Sequence, residues 1–529
     1  MYRILSASKD AYITNKVISG QRTTTSNTGQ AGTLDLFKLV DVSSIRGVTS
    51  SVVEYSRGLI AFDYSGLEAM PFLDISHPSF KCFLNLKDVY GGQTTPSNFE
   101  LTVVPLSKSF TEGRGSDVIA FRDLDTCNYL TASVVNSIVT PWEMEGATLT
   151  GSLGETCDVI VSGNLGFGLQ PLTVTQTFAR GDEDLYVDVT TLVSATMAGI
   201  IANNGFRISY SDALETDSNT YFVKRFGTKQ AFNKALRPRL IVKTTNDKLE
   251  DSMGFPQLDI SQSLFVYNQV NDTYSNFFSG SIEITGSDCL TLHLEASKSY
   301  TYTTSSFSIS HNATINHLTK STATFSTYFS ASQLTSSLGV GVDGIYSSKF
   351  MLSTFEPTFR DYLSGSRSIE FKVSWKSVDG SVTYAHDYAT FNAVDGTFGN
   401  LQSRNWITNI TNLKHQYSKD TLYPVRLRVF VQDYDLTQVA AKLAGLSKSA
   451  IVKNMKYRLK EAYTKKIVIP FDDSTALSYD RDGMYFDLWV SDLDVGEVYE
   501  IELLISPQSF TANGEDTLVS NKFRFKIVP

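Results

Sequence analysis

Short segments in which apolar and polar residues alternate recur along the whole chain, and they limit it to a fold built of β-strands. In one of them, Phe206, Ile208 and Tyr210 alternate with polar residues. A period of two places the apolar side chains on one face of a strand and the polar ones on the other. Turn-forming residues separate such segments, as Asn-Asn-Gly at 203–205 does. We therefore predict an all-β chain.

Composition supports this fold class and argues against several functions. Aromatic residues make up 12% of the chain and charged residues 19%, a balance typical of strand-rich proteins. The formal net charge of −9 argues against nucleic acid as a partner, since phosphate contacts need a surplus of Lys and Arg. No stretch approaches the ~20 apolar residues that span a membrane. The first residues also lack a signal-peptide pattern, so we expect synthesis in the cytoplasm and no membrane partner.

The pattern of segments predicts three units. Residues 1–245 are predicted to form a jelly-roll-like β-sandwich. Residues 246–365 are rich in Ser and Thr, but aromatic residues recur among them, which favours antiparallel strands over a disordered linker. Residues 366–529 are predicted to form a second β-sandwich with a tight hairpin turn at Asp482-Gly483. Its one helical stretch is predicted from Leu436 to about Leu446.

Cysteine and histidine give little indication of a metal site or a cofactor. The four cysteines are far apart in sequence, which favours free thiols in or near a core over zinc or disulfides. They are Cys82, Cys127, Cys157 and Cys289. Among six scattered histidines, His311 and His317 are the one close pair, and we expect solvated or core side chains rather than metal ligands. We therefore predict no metal and no cofactor.

Acidic residues near the hairpin turn are candidates for calcium ligands or for catalytic carboxylates. The segment Asp480–Gly483 has a superficial likeness to a calcium loop, but it lacks the further acidic ligands, so a turn is favoured. Asp487 and Asp492 are candidates for the paired carboxylates of a glycosidase. We interpret both as exposed positions at and just past the hairpin, and we predict no catalytic residues.

Basic residues cluster in one part of this acidic chain, between residues 442 and 466. The predicted interface residues are Lys448, Lys453, Lys456, Arg458, Lys460, Lys465 and Lys466. One interpretation is a solvated helix face. The other is a docking surface for an acidic neighbour, where complementary charge orients association. On the second interpretation, charge reversal at Lys453, Lys456 and Arg458 weakens assembly and leaves folding intact. Contact with DNA has less support, because no aromatic residues interleave suitably.

Several segments of the first unit match a known domain in order and spacing. They are Asp10–Ile13, Arg57–Asp63, Val187–Thr190, Asn203–Phe206 and Arg237–Val242. Together they resemble the DNRLRE-type domain, a jelly-roll β-sandwich similar to carbohydrate-binding modules. The chain departs from that domain in a longer middle, Ser116–Arg180. It also has Val223-Lys224-Arg225-Phe226 where a Ser-x-Glu is expected.

The last unit carries a second resemblance. Residues 454–505 are similar to a C-terminal module of tailed-bacteriophage virion proteins. This resemblance implies a non-enzymatic subunit of the neck, tail, baseplate or capsid surface, located in the virion and assembled in many copies. The implied partners are other virion proteins and further copies of the chain. The alternative is an adhesin whose first sandwich binds host glycans, and a polysaccharide depolymerase ranks third.

Overall fold

The computed structural model describes most of the 529 residues. Outside the described residues lie 46–47, 71–72, 91–93, 120–121, 124–125, 167, 246, 271–272, 308–313, 336–340, 364, 367, 394–405, 434–448, 450, 453 and 506–516. At 43–45, 48–50, 298–307, 314–323, 406, 432–433, 517 and 519–522 the backbone alone is described.

The chain divides into two compact units, which are described separately. The first consists of Met1–Asn246 together with a short segment from far along the chain, Trp489–Val495. The second consists of Asp247–Leu488 and Gly496–Pro529. Both are built mainly of strands, so the chain is all-β and multi-domain, as predicted.

The first unit contains seventeen strands within the described residues. They are β1 (Tyr2–Thr14), β2 (Val17–Ile18), β3 (Gln21–Arg22), β4 (Thr33–Ile45), β5 (Val48–Phe62), β6 (Lys81–Leu86), β7 (Phe99–Pro105), β8 (Thr131–Val135), β9 (Ile138–Pro141), β10 (Thr150–Ser152), β11 (Val159–Asn164), β12 (Leu169–Pro171), β13 (Val174–Phe178), β14 (Leu185–Asp188), β15 (Phe206–Tyr210), β16 (Tyr221–Gly227) and β17 (Arg239–Lys243). Its α-helices are α1 (Ser65–Glu68), α2 (Thr190–Met197) and α3 (Asp212–Thr216), and Lys234–Leu236 is 3-10 helical.

Strand β1 takes part in both layers of a β-sandwich. Its first half, Tyr2–Ser6, pairs with β17 in the layer β14-β6-β17-β1. Its second half, which begins at Ala7, pairs with β5 in the layer β13-β7-β15-β5-β1, and the register of this pairing shifts between Ala7 and Lys9. A bulge of this kind bends a strand. One strand therefore joins the two layers of the sandwich.

Apolar side chains from both layers fill the space between them. Leu84 and Leu240 from one layer and Val103 and Ile208 from the other are fully buried in a single cluster. Each such side chain contributes roughly 1.5–3 kcal/mol when it leaves water. On the opposite face of β1, β5 and β7, a second cluster includes Trp142. The long middle segment of this unit thus packs onto the outside of the sandwich.

The predicted turn before β15 depends on its glycine. Gly205 has a φ of +91°, a region that disfavours residues with a Cβ. A Cβ at this position would also lie 2.4 Å from the carbonyl oxygen of Ile60 in the neighbouring strand. The turn at 203–205 is therefore confirmed, and it allows β15 to pair closely with β5.

The segment Trp489–Val495, which we call the strap, completes the first unit. The guanidinium of Arg3 donates to both carboxylate oxygens of Asp492, at 3.1 and 2.9 Å, and lies 3.8 Å from the ring centre of Trp489. The backbone N–H of Ile4 also donates to Asp492, at 3.0 Å. The strap thereby ties a late part of the sequence to the first strand.

The second unit contains nineteen strands within the described residues. They are β18 (Gln262–Tyr267), β19 (Gln269–Val270), β20 (Thr273–Tyr274), β21 (Phe278–Ser279), β22 (Ile282–Glu283), β23 (Leu290–Phe307), β24 (Thr314–Thr335), β25 (Gly341–Phe350), β26 (Ser368–Lys376), β27 (Thr383–Asn392), β28 (Trp406–Ile410), β29 (Gln416–Ser418), β30 (Val425–Asp433), β31 (Met455–Glu461), β32 (Ile467–Ile469), β33 (Ser478–Asp480), β34 (Gly483–Leu488), β35 (Val498–Ile505) and β36 (Thr517–Val528). Its α-helix is α4 (Pro357–Leu363), and Ser252–Gly254 and Asp473–Thr475 are 3-10 helical.

The N-terminal part of the second unit forms a six-stranded sheet in the order β18-β25-β24-β23-β26-β27. The Ser/Thr-rich tract supplies β23 and β24, so the predicted antiparallel strands are confirmed. The sheet continues across residue 365, where the sequence analysis placed a boundary, because β26 pairs with β23 through Thr291–Glu295. Helix α4 covers part of it, with Phe359 in the buried cluster.

The C-terminal part of the second unit is a sandwich of two further sheets. One has the order β28-β30-β34-β33 and the other β29-β36-β35-β31-β32. The rings of Tyr457 and Phe486 stack between them at 4.2 Å. The predicted hairpin is β33–β34, with Asp480 opposite Gly483. The helix predicted at 436–446 lies outside the described residues.

Candidate interaction surfaces

The described part of the basic run is a strand rather than a helix. Five of the predicted interface residues lie here: Lys456, Arg458, Lys460, Lys465 and Lys466. Lys448 and Lys453 lie outside the described residues. In β31 the first three alternate with buried apolar residues, so they share the outer face of the sheet. Lys465 and Lys466 follow in the turn to β32. The interpretation as a helix face is therefore wrong for this part of the run.

Two glutamates of the neighbouring strand β35 neutralise much of this basic face. Lys460 Nζ lies 3.0 Å from Glu500 and also contacts Glu502, which pairs with Arg458. Arg524 lies 2.7 Å from Glu500. Both glutamates are buried beneath these cations, at 5% and 4% exposure. Burial alone would raise the pKa of Glu500, but the hydrogen bonds from Lys460 and Arg524 lower it to about 2. Most cations of the basic face thus already form ion pairs with glutamates of the same chain.

This pairing changes the expected effect of charge reversal. Arg458→Glu would place a carboxylate against buried Glu502, so we expect a loss on the order of 3 kcal/mol in unfolding free energy. Lys456→Glu is the matched control on the same strand, because its partner Asp473 is 86% exposed and such pairs contribute about 1 kcal/mol or less. Urea denaturation of both variants checks this, and equal stabilities would contradict the structural role of Arg458.

A long two-stranded arm forms a second candidate surface. Strands β23 and β24 pair without interruption from Leu290↔Ala331 to Phe307↔Thr314. Ala296 is buried in the core, and the ring of Phe325 opposite it packs on Phe359 at 4.8 Å. Among the residues that the structure describes, no other strand pairs with the hairpin beyond this point. We call the described residues 297–307 and 314–324 the arm, and at ~3.3 Å per residue each strand extends roughly 35 Å.

A shorter hairpin of the same kind occurs in the first unit. Strands β4 and β5 pair out to Ile45↔Val48. Their pairing with β16 and β1 ends at Lys38 and Ser56. We call the described residues 41–45 and 48–52 the short arm. It serves below as a control for the longer arm.

A small aromatic patch lies on the outer face of the first sandwich. The rings of Phe83 and Tyr186 stack at 5.0 Å with an interplanar angle of 8°, and Tyr186 is 44% exposed. Lys243 Nζ lies 5.4 Å from the ring centre of Phe83. The Oδ1 atom of Asn85 on the same strand face is buried and has no hydrogen-bond partner among the described atoms. An exposed ring beside amide and ammonium groups could bind one face of a sugar.

The structure corrects one of the acidic positions near the hairpin. Asp492 was expected to be exposed, but its side chain is 8% exposed in the strap, where it pairs with Arg3. Asp487 lies on β34, 33% exposed, and pairs with Arg426 at 2.9 Å. Asp480 of the turn pairs with Arg428, which is consistent with a structural turn. Both carboxylates considered for catalysis are thus held in ion pairs.

The cysteines and histidines are placed as follows. Cys82, Cys127 and Cys157 are buried free thiols and Cys289 is partly buried, which confirms the prediction. Burial raises the pKa of Cys127 to about 12.

Exposed histidines are His77, His386 and His415, while His293 is partly buried. His311 lies outside the described residues, as does the side chain of His317. Among the described residues, no group of three His, Cys, Asp or Glu side chains could hold a metal ion.

Sequence analysis missed a buried carboxylate in β1. Asp10 is 1% exposed, and its Oδ2 accepts a hydrogen bond from the backbone N–H of Lys229 at 2.6 Å. Its Oδ1 is buried and has no hydrogen-bond partner among the described atoms. Nearby, Lys229 Nζ pairs with Glu112 at 2.8 Å. Burial is the main reason that the pKa of Asp10 rises to about 7, and the hydrogen bond from Lys229 partly opposes it. The one signal in the sequence was an acidic residue inside an apolar strand.

Comparison with known proteins gives little guidance. No family model matches the chain, and no curated protein matches it. Among solved structures, the crystal structure of human mucin-like protocadherin EC1-2 aligns with 34% of this chain and 75% of its own length. The sequence identity is 12% and the TM-score 0.13, which supports no argument about fold or function. Within the described residues, no helix is long and apolar enough to cross a membrane.

Proposed function

We propose that this chain is a non-enzymatic structural subunit of a tailed-bacteriophage virion, placed in the neck, tail, baseplate or capsid surface. The resemblance of residues 454–505 to virion proteins suggests the class. The structural observation that supports it best is the arm, residues 297–307 and 314–324, whose two segments pair with each other and with no further strand among the described residues.

The arm supports an assembly role because it adds little stability to a single copy of the chain. An isolated two-stranded hairpin is at best marginally stable in water. Its two edges present backbone N–H and C=O groups that can pair with another chain. A partner that covers the arm satisfies these groups and adds buried surface. Such an element is therefore more useful to a subunit among neighbours than to an isolated protein.

The basic face now contributes less to the proposal than the sequence suggested. Glu500 and Glu502 already pair with Arg458 and Lys460. Lys465 remains 55% exposed at the margin of this face. We therefore assign the main interface to the arm and a lesser electrostatic contribution to the margin of the basic face.

Light scattering of the purified full-length chain over a range of concentrations tests the proposal. A subunit that assembles with further copies of itself is expected to form a discrete oligomer, or to shift towards one as concentration rises. A chain that stays monomeric throughout would contradict self-assembly and shift support to the second candidate.

The second candidate function is a carbohydrate-binding adhesin, favoured by the stacked pair of Phe83 and Tyr186 beside Asn85. A glycan array with the full-length chain tests it. Binding that is lost in Tyr186→Ala but retained in Tyr90→Ala, which removes a 73% exposed tyrosine elsewhere in this unit, would support the adhesin. An array without any bound glycan would contradict it.

A further inference from the structure

Charge and backbone pairing indicate which molecule the arm contacts. We infer that the arm, residues 297–307 and 314–324, binds the acidic remainder of a second copy of this chain, which we call the body. This inference rests on the proposed function and makes it more specific, because it names which segment forms the contact and what it contacts.

The arm and the whole chain differ in the sign of their charge. Residues 297–324 contain Lys298 and Lys320 and no aspartate or glutamate, whereas the whole chain carries a formal net charge of −9. Two arms repel each other, and two bodies repel each other. An arm and the body of another copy attract, which favours this docking and disfavours arm-to-arm pairing.

The backbone of the arm provides the means of attachment. Beyond Glu295, where its pairing with β26 ends, β23 continues to Phe307 with its second edge unpaired by any described strand. The second edge of β24 is likewise unpaired by any described strand from Thr314 up to Ser332, where its pairing with β25 begins. Residues of the arm are dominated by Ser and Thr with recurrent Tyr and Phe, which suit a strand that pairs at its edge. Pairing at an edge needs no preformed pocket.

The length of the arm makes contact with another molecule geometrically reasonable. Ala296 and Phe325 anchor its base in the buried cluster of its own sheet. From that base the paired strands extend roughly 35 Å at ~3.3 Å per residue. If each of two copies places its arm on the other, the contacts are reciprocal and close a dimer; a one-way arrangement builds a ring or a filament.

The first test removes the arm from the full-length chain. Because Ala296 and Phe325 lie opposite each other, an Asn-Gly turn can replace residues 297–324. The matched control joins Asp41 to Val52 in the same way, which shortens the short arm. We expect light scattering to show oligomers for the wild type and for the control, and monomer for the variant without the arm.

A second test does not depend on the shortened variant folding. Lys298→Glu combined with Lys320→Glu keeps the arm and reverses its charge, and we expect association about tenfold weaker than in the wild type. In the wild type, hydrogen exchange of amides in the arm should slow by about tenfold or more as the oligomer forms.

The outcomes separate this inference from the proposed function. Oligomers that persist without the arm, with arm amides that exchange as fast as in the monomer, would overturn the inference and leave a multi-copy subunit intact. A wild-type chain that stays monomeric at every concentration would overturn both the inference and self-assembly.

Discussion

Replacement of Asp492 by alanine is expected to lower the unfolding free energy of the first unit by about 3–5 kcal/mol. The side chains of Arg3 and Asp492 are 7% and 8% exposed, and they form a two-point ion pair. Removal of the carboxylate leaves the Arg3 guanidinium buried without its counter-charge, and the backbone N–H of Ile4 loses its acceptor. Loss of one member of a buried ion pair is among the single substitutions that lower the unfolding free energy most.

Hydrogen exchange in increasing urea, followed in peptides from β1 and β17, measures this effect without assuming that the two units unfold together. Asp494→Ala is the control within the same strap. Its pair with Arg239 is longer, at 3.6 Å, and partly exposed, so a change of about 1 kcal/mol or less is expected. If the two variants are equally stable, the strap does not hold the first unit as described.

Asp10→Asn is expected to remove most of the pH dependence of the first unit's stability between pH 4 and 7. The pKa of Asp10 is about 7 in the folded chain, against an ordinary value of 3.8. Between these values the folded chain keeps a proton that the unfolded chain has released. The unfolding free energy therefore falls as pH rises through this range, by about 1.4 kcal/mol per pH unit and on the order of 4 kcal/mol in all.

The same hydrogen-exchange measurement, repeated from pH 4 to pH 8 with correction for the intrinsic exchange rate, tests this expectation. Asn at position 10 keeps an oxygen that can accept from the backbone N–H of Lys229 and does not titrate. Asp182→Asn is the control, since that carboxylate is 63% exposed. A wild-type stability that rises with pH over this range would show that Asp10 is ionised in the folded chain.

Local features of the sequence were sufficient to locate many strands. Phe206–Tyr210 alternates as a half-buried strand does, and it forms β15. The hairpin around Gly483 followed from the same alternation on both sides of a residue that permits positive φ. These features depend on neighbouring residues alone, so a single sequence carries them.

Long-range pairing accounts for what the sequence analysis missed. Arg458 lies 44 positions before its partner Glu502, and Arg3 lies 489 positions before Asp492. No local period indicates which strands become neighbours, so the basic run was interpreted without the glutamates that neutralise it. Asp492 was expected to be exposed for the same reason, because its burial depends on a residue at the opposite end of the chain.

The central proposal is that this chain is a structural subunit present in many copies in each virion. Counting the chain in purified particles tests it most directly. Quantitative mass spectrometry with labelled peptides should find several copies per particle, and they should remain bound after washes in high salt, because edge pairing does not depend on charge alone. A chain that is abundant in the soluble fraction of the lysate but absent from purified particles would contradict the claim.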